Sequence, residues 1–282
     1  MDKSAIEQIG ILATQAQKLP PLDNMTIVHK DFQVGDLERF QPGRNRQRGE
    51  YTTDLIRDFV QFLILHTVPD TWMPIFVNSE LPQATAVINY QESKKNPFGH
   101  CDFQAHIRLK LSAEMKAAQA LGGDRFNQKA AAEYLEDWAP NLRFFSDDMA
   151  EIPAAAAINS IRKVKIEQIR SVESEARQFG AEKSEFEKIE ATAQQMPSYI
   201  EFSLIPHPEL NPRAFTYRVN VLTGGSDPQF RFSQIGKERA EAELLEEFRE
   251  KLKTAIEQTA TPETQPPGLV GKVLLLSGAF KP

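Results

Sequence analysis

Four arginines lie within ten residues in the first fifth of the chain. Arg39, Arg44, Arg46 and Arg48 share this stretch with no acidic residue. A guanidinium group can bind two phosphate oxygens at once, and the Pro-Gly step inside the stretch would let its backbone approach a ligand closely. The stretch therefore predicts a phosphate or nucleic-acid contact. The same side chains could instead pair with the chain's own carboxylates or line a subunit interface.

Basic residues also recur on the polar faces of predicted strands. Residues 101–110 alternate apolar and polar side chains, which places Arg108 and Lys110 on one face, while Arg218 and Arg231 hold polar positions on two later strands. Neighbouring strands would combine them into a basic patch, and separate strands would leave ordinary solvated sheet faces. The phenylalanines and tyrosines fall on the apolar faces, which weakens the case for recognition of single strands by stacking. The candidate phosphate- or nucleic-acid-binding residues are Arg39, Arg44, Arg46, Arg48, Arg108, Lys110, Arg218 and Arg231.

The residue types that build metal and catalytic sites are present without a working arrangement. His100, Asp102 and His106 share one face of a predicted strand, but His106 would lie ~20 Å from His100 along it, too far to share an ion. Glu133 and Glu136 are near enough on a helix to divide acid and base roles, yet are more typical of a solvated face. The sequence contains no phosphate-binding loop, dinucleotide fingerprint or nucleophile elbow. We predict no metal, no cofactor and no catalytic residue, and favour a protein that is not an enzyme.

The composition is that of an ordinary globular chain. Its 282 residues are 41% hydrophobic and 26% charged, and 33 basic residues against 39 acidic ones give a net charge of −6. Without the four arginines of residues 39–48 the balance is 29 basic to 39 acidic, so a nucleic-acid contact must be local rather than a coating by bulk charge.

Cysteine use and hydropathy indicate the compartment. The single cysteine, Cys101, excludes an internal disulfide and favours the cytoplasm. The first residues lack the pattern of an export signal, and no apolar run approaches the ~20 residues that span a bilayer. We therefore expect a cytoplasmic protein with no membrane partner.

The elements that must position these residues alternate between strands and helices in blocks. Short β-branched and aromatic runs predict strands over 72–78 and 85–90. Alternation of apolar and polar residues predicts strands over 101–110, 200–204, 215–221 and 230–232. Capping residues and helical periodicity predict helices beginning at Ser4 and at Thr53-Asp54, and over 112–121, 127–138, 153–163 and 237–258. The fold class is therefore α+β, with antiparallel sheet or sheets packed against helices and a helical block between two strand-rich regions.

Three segments are expected along the chain. Residues 1–36 form an N-terminal helix and an extended arm. Residues 37–258 form the α+β core, which allows a division into two subdomains at about residue 163. Residues 259–282 form a tail, in which a linker rich in Pro and Thr precedes a short apolar strand.

Four short motifs, in their order and spacing, resemble a known family. They are Arg44-x-Arg46-x-x-Gly49-x-Tyr51-Thr52, Leu135-Glu136-Asp137-Trp138, Ala157-Ile158-x-x-Ile161-Arg162-Lys163 and the segment Arg213-x-Phe215-x-Tyr217-Arg218-Val219 that runs on to Gly224. Over roughly residues 37–248 the chain resembles the YfdQ-like family of uncharacterised phage and prophage proteins. The resemblance implies a bacterial or phage origin and an accessory gene near replication, recombination or host-interaction genes. It implies no catalytic residues.

These observations favour a phage or prophage accessory protein that acts by binding in the bacterial cytoplasm. Its partner would be nucleic acid during phage DNA replication or recombination, or a host protein. One alternative is a small-ligand-binding protein or enzyme with a pocket between the sheet and the helices. Another is a self-assembling structural protein, which would form a homo-oligomer.

Overall fold

Two mostly antiparallel sheets, each covered by helices, form the described part of the chain. The structure is a computed structural model that describes residues 4, 7–9, 47–68, 71–91, 99–164, 196–222, 228–259 and 272–280. From Arg48 onward these residues belong to one unit. The predicted α+β class is confirmed. Of the predicted N-terminal helix and arm, residues 4 and 7–9 are helical and the rest lies outside the described residues.

The first sheet contains five strands: β1 (Gly49–Thr53), β2 (Met73–Val77), β3 (Gln83–Val87), β4 (Phe103–Arg108) and β11 (Val273–Ser277). Their spatial order is β1-β4-β3-β2-β11, with β1 parallel to β4 and β11 parallel to β2. The alternation predicted for β4 is confirmed, since Phe103, Ala105 and Ile107 are buried and the residues between them are not. The strand β1 was not predicted.

Helix α1 (Ile56–Leu65) covers the inner face of the first sheet. Its apolar stripe of Ile56, Phe59, Val60 and Leu63 is buried against β1 and β4. The predicted start at Thr53-Asp54 is three residues early. Thr53 completes β1 instead, and its Oγ1 accepts a hydrogen bond from the Leu55 amide at 3.2 Å.

The second sheet contains six strands: β5 (Arg125–Asn127), β6 (Leu142–Phe145), β7 (Glu151–Ile152), β8 (Tyr199–Leu204), β9 (Arg213–Leu222) and β10 (Gln229–Gln234). They are antiparallel throughout, in the order β5-β10-β9-β8-β6-β7. The three long strands were predicted. The three short ones lie in the sequence region predicted to be helical, which therefore contributes to the sheet as well as to its cover.

Three helices cover the inner face of the second sheet: α2 (Ala113–Gly123), α3 (Gln128–Asp137) and α4 (Ala154–Lys163). Each begins one residue after its predicted first residue, which occupies the N-cap position instead. Ser112 Oγ accepts from the Met115 amide at 2.9 Å, and Asn127 Oδ1 accepts from the Ala130 amide at 2.8 Å. These bonds satisfy amides that a helix leaves unpaired at its first turn.

Helix α5 (Lys237–Glu257) buries Leu244, Phe248, Leu252 and Ile256 on the stripe that the sequence predicts. It packs against α1, and ion pairs to Arg213 on β9 link it to the second sheet. The inner faces of both sheets and the helices α1 to α5 contribute to one apolar core. None of the described helices is long and apolar enough to cross a membrane.

Candidate nucleic-acid interface

The outward face of the second sheet is built by simple alternation along its strands. On β9, Phe215 and Tyr217 point into the core, so Arg218 points outward. On β10, Phe230 and Phe232 are fully buried, so Arg231 between them is exposed. The described helices that contact this sheet pack on its opposite face.

Strand pairing brings three arginines together on this face. Arg231 of β10 lies directly opposite Arg125 of the edge strand β5. On its other side Arg231 faces Asn220 of β9, and Arg218 is two residues along from Asn220. Diagonal neighbours of this kind are about 7–8 Å apart, within reach of long side chains. We call Arg125, Arg218 and Arg231 the arginine cluster.

The guanidinium groups of the arginine cluster have no ion pair and no hydrogen bond to any described residue. Every other described arginine has a contact: Arg57 with Asp58, Arg108 with Gln83, Arg143 with Glu151, Arg162 with Glu136, Arg213 with Glu247, Arg239 with Glu243, Arg249 with Ser277, and Arg48 with a further group. The arginines without a partner are therefore concentrated at one place.

The pairing of Arg125 with Arg231 opposes folding. Like charges directly opposite one another on neighbouring strands are destabilising, whereas opposite charges stabilise by about 0.2–1 kcal/mol. The backbone beneath the cluster is held by Asn220, whose Nδ2 donates to Ser233 Oγ at 3.1 Å and to the Arg231 carbonyl at 3.3 Å. The sheet thus fixes two arginines side by side and leaves their charges uncompensated within the described chain.

One tyrosine lies beside the arginine cluster. Tyr199 of β8 is directly opposite Arg218 and shares its outward face, because Ile200 next to it is fully buried. Its side chain is half-buried. Its ring has no aromatic contact and its hydroxyl no hydrogen bond with any described residue. The prediction that aromatic residues occupy only the apolar faces is therefore wrong at this position.

The other end of the same face is electrically neutralised. Arg143 on β6 binds Glu151 at 2.9 Å and Glu201 at 3.4 Å, and its guanidinium lies 5.1 Å from the centre of the Phe145 ring. Hydrogen bonding from Arg143, followed by its charge, holds the pKa of the Glu151 carboxyl below its usual value. Positive charge is consequently concentrated on β5, β10 and β9.

The other predicted site residues do not lie together. Arg39, Arg44 and Arg46 lie outside the described residues, and Arg48 is half-buried just before β1. Arg108 lies on the outward face of the first sheet, where its Nε donates to Gln83 Oε1 at 3.1 Å. Lys110 lies beyond the end of β4, and its carbonyl accepts from Nδ1 of His207 at 3.1 Å. The strand of Arg108 and the strand of Arg218 belong to different sheets, so the single basic patch envisaged for them does not form.

Sequence reasoning missed Arg125 and Tyr199. Arg125 belongs to a strand of three residues between two helices, too short to show alternation. Tyr199 carried a readable signal, because it precedes Ile200 and so has the parity of Glu201 and Ser203, which are polar. The predicted strand begins at Ile200, one residue after Tyr199.

A groove of about 410 Å³ lies on the outward face of the first sheet. At its centre His106 Nδ1 is 3.0 Å from Thr85 Oγ1, and the buried Nε2 has no hydrogen-bond partner among the described residues. The nearest carboxylate atom, Glu50 Oε2, is 4.0 Å from Nε2. Phe280 closes one end by stacking on Phe76, with ring centres 4.9 Å apart.

The residues considered as metal ligands or as an acid/base pair lie apart from one another or are paired with basic residues in the described part of the chain. No group of three His, Cys, Asp or Glu residues there could hold a metal ion. Glu133 and Glu136 are exposed and paired with Lys129 and Arg162, as expected for a solvated face. Burial, with a smaller effect of the Asp102 carboxylate, raises the pKa of the Cys101 thiol, which disfavours the reactive thiolate.

Fold and site together define an α+β protein with a helix-covered sheet whose open face carries unpaired arginines beside a tyrosine. The chain belongs to the family described as "Uncharacterized conserved protein (DUF2303)", whose model matches residues 1–265. Comparisons with curated proteins and with solved structures gave no match.

Proposed function

We propose that this protein binds nucleic acid through the outward face of its second sheet. The observation that carries the proposal is the arginine cluster: of the described arginines, Arg125, Arg218 and Arg231 are those without a partner, and they are neighbours. Two of them are held opposite each other at a cost to stability. A row of phosphates would compensate these charges by bidentate hydrogen bonds.

The overall charge is compatible with such a local contact. A chain with a net charge of −6 does not attract a polyanion over its whole surface. The arginine cluster offers three contacts to phosphate, each releasing counterions, so binding should weaken with salt in proportion to three contacts rather than many.

The family resemblance supplies a biological setting for the proposal. Its motifs at residues 44–52, 135–138, 157–163 and 213–224 resemble phage and prophage proteins, and the last includes Arg218 itself. A cytoplasmic accessory role in phage DNA replication or recombination fits a local nucleic-acid contact. An acidic host protein would present carboxylates to the same arginines, and the experiment below separates the two partners.

Fluorescence anisotropy with labelled 20-nucleotide single strands and duplexes tests the proposal. The variants are Arg125→Ala/Arg218→Ala/Arg231→Ala and a control of equal charge change, Arg57→Ala/Lys129→Ala/Arg239→Ala, whose side chains are 84–87% exposed elsewhere. Circular dichroism checks that both fold. We expect the cluster variant to lose at least tenfold in affinity and about two to three units of the slope of log K against log salt.

The control variant should stay close to the wild type in both quantities. Equal losses of affinity in the two variants would show that the effect comes from the change in net charge and not from the arginine cluster. An unchanged cluster variant, or a wild type that binds no nucleic acid, would contradict the proposal and favour a protein partner.

A further inference from the structure

We infer that the ligand of the arginine cluster is single-stranded nucleic acid, one base of which stacks on Tyr199 while the arginines bind phosphates. This inference rests on the proposed function and specifies its substrate class. It is carried by a second observation, the outward-facing ring of Tyr199 that stacks on no described aromatic residue, which the charge argument does not use.

Tyr199 differs from the other four tyrosines of the chain. Tyr51 stacks on Phe62 with ring centres 4.2 Å apart, and Tyr90 meets Phe280 at 6.4 Å. The hydroxyls of Tyr134 and Tyr217 donate to carbonyls of α2 at 2.5 and 2.9 Å. Tyr199 has neither kind of contact with the described residues, and its directly opposite neighbours are Phe145 on β6 and Arg218 on β9.

The position of the ring is suited to stacking. Tyr199, Arg218, Arg231 and Arg125 lie on four consecutive strands, β8, β9, β10 and β5, and all point to the same side. Neighbouring strands are about 4.8 Å apart, so the four residues span about 14 Å across the sheet. A flexible strand laid across the sheet could place a base on Tyr199 and successive phosphates over the arginines.

A duplex cannot use this arrangement fully. Its bases are stacked on one another and paired inside the helix, so Tyr199 would meet only backbone, and the duplex would gain phosphate contacts alone. In a single strand each base offers a free face to an aromatic ring. Because every base has such a face, we expect little sequence preference.

The test compares Tyr199→Ala, Tyr199→Phe and the control Tyr90→Ala, a tyrosine that is 40% exposed and contacts Phe280. Each is titrated with a labelled 20-nucleotide thymidine strand and with a blunt hairpin duplex. We expect the wild type to prefer the single strand. Tyr199→Ala should weaken single-strand binding by about 5- to 150-fold and leave duplex binding unchanged. Tyr199→Phe and Tyr90→Ala should stay within about threefold of the wild type, since both keep the ring at position 199.

The outcomes separate this inference from the proposed function. If the cluster variant loses binding but Tyr199→Ala does not, or if the duplex binds as tightly as the single strand, stacking is wrong and nucleic-acid binding stands. If Tyr199→Phe loses as much as Tyr199→Ala, the ring is not a stacking platform. If neither nucleic acid binds the wild type, the proposed function itself fails.

Discussion

Tyr199 on β8 lies directly opposite Arg218 on β9, and neither side chain has a hydrogen bond, ion pair or ring contact with a described residue. Directly opposite residues have Cβ atoms about 4.5–5.5 Å apart, so one nucleotide can reach both. Further along the same face, Arg143 on β6 and Glu201 on β8 are also directly opposite each other, and there the charges compensate each other.

Arg231→Glu should separate stability from binding. The new carboxylate would face Arg125 across the strand pair, turning a like-charge pair into an ion pair. We expect the free energy of unfolding to rise by about 0.2–1 kcal/mol, as for other cross-strand ion pairs. Nucleic-acid binding should fall more than with Arg231→Ala. Urea unfolding and anisotropy measure the two effects.

The matched control is Arg239→Glu on α5. It replaces an exposed arginine that is paired with Glu243 one turn along the helix at 2.9 Å. The new carboxylate would face that of Glu243, so the variant's free energy of unfolding should fall by a few tenths of a kcal/mol. Were Arg231→Glu to destabilise as Arg239→Glu does, the strain assigned to the arginine cluster would be wrong.

Tyr217→Phe should destabilise the fold without affecting binding. The buried hydroxyl of Tyr217 donates to the Ala118 carbonyl of α2 at 2.9 Å, and burial raises the pKa of this hydroxyl far above its usual value. Loss of one buried hydrogen bond costs about 0.5–1.5 kcal/mol. Tyr51→Phe is the control, because the Tyr51 hydroxyl bonds to no described residue. Equal unfolding free energies for the two variants would refute the role of this bond.

The buried side chain of His207 should make stability depend on pH. Burial lowers the pKa of its imidazole, against a weaker opposing effect of hydrogen bonds to the carbonyls of Lys110 and Leu109. The unfolded chain protonates His207 below about pH 6.5 while the folded chain resists protonation. Its contribution is therefore complete above pH 6.5 and declines as the pH falls below it. Urea unfolding should show a smaller difference in the free energy of unfolding between His207→Gln and the wild type at pH 5.5 than at pH 7.5. A difference that is the same at both pH values would contradict this prediction.

Arg213 should stabilise the attachment of α5 to the second sheet. It binds Glu247 at 2.6 Å, and the side chain of Glu247 is only 12% exposed. Burial alone would raise the pKa of Glu247, but hydrogen bonds from Arg213 and the Asn211 amide hold the pKa below its usual value. Arg213→Met leaves this carboxylate less compensated, at a cost of about 1–3 kcal/mol at pH 7.

Lowering the pH should reduce the difference in the free energy of unfolding between Arg213→Met and the wild type. The folded pKa of Glu247 lies below the unfolded one, so the pair's stabilisation is present above about pH 4.5 and is lost as the pH falls further. Arg239→Met is the matched control, since Arg239 binds Glu243 but its side chain is 87% exposed. Urea unfolding should show a loss below about 0.5 kcal/mol for the control.

Local sequence signals predicted the elements that are local in origin. The starts of α2 and α3 near Ser112 and Asn127, the stripe of α5 and the alternation of β4 depend on residues within a few positions of one another. Strand β7, of two residues, pairs with β6. Strands β5 and β6, of three and four residues, pair with β10 and β8, which lie far from them in the sequence. Such pairing depends on distant residues, so no local pattern reveals it.

For the candidate site too, local patterns predict some features and distant residues determine others. Arg218 and Arg231 were identified because alternation gives the face on which each lies. Their meeting with Arg125 depends on strand order, and so does the separation of Arg108 onto the other sheet. The sequence thus identifies Arg218 and Arg231 as candidate site residues. It does not show that Arg125 lies beside them or that Arg108 lies elsewhere.

Photo-crosslinking measures the location of the nucleic acid most directly. A single strand carrying a photoreactive base is irradiated on the wild-type protein, and the attached peptides are identified by mass spectrometry. The account predicts attachment at Tyr199 and within residues 213–234, and loss of it in the Arg125/Arg218/Arg231 variant. Attachment confined to residues 39–48, or unchanged in that variant, would contradict it.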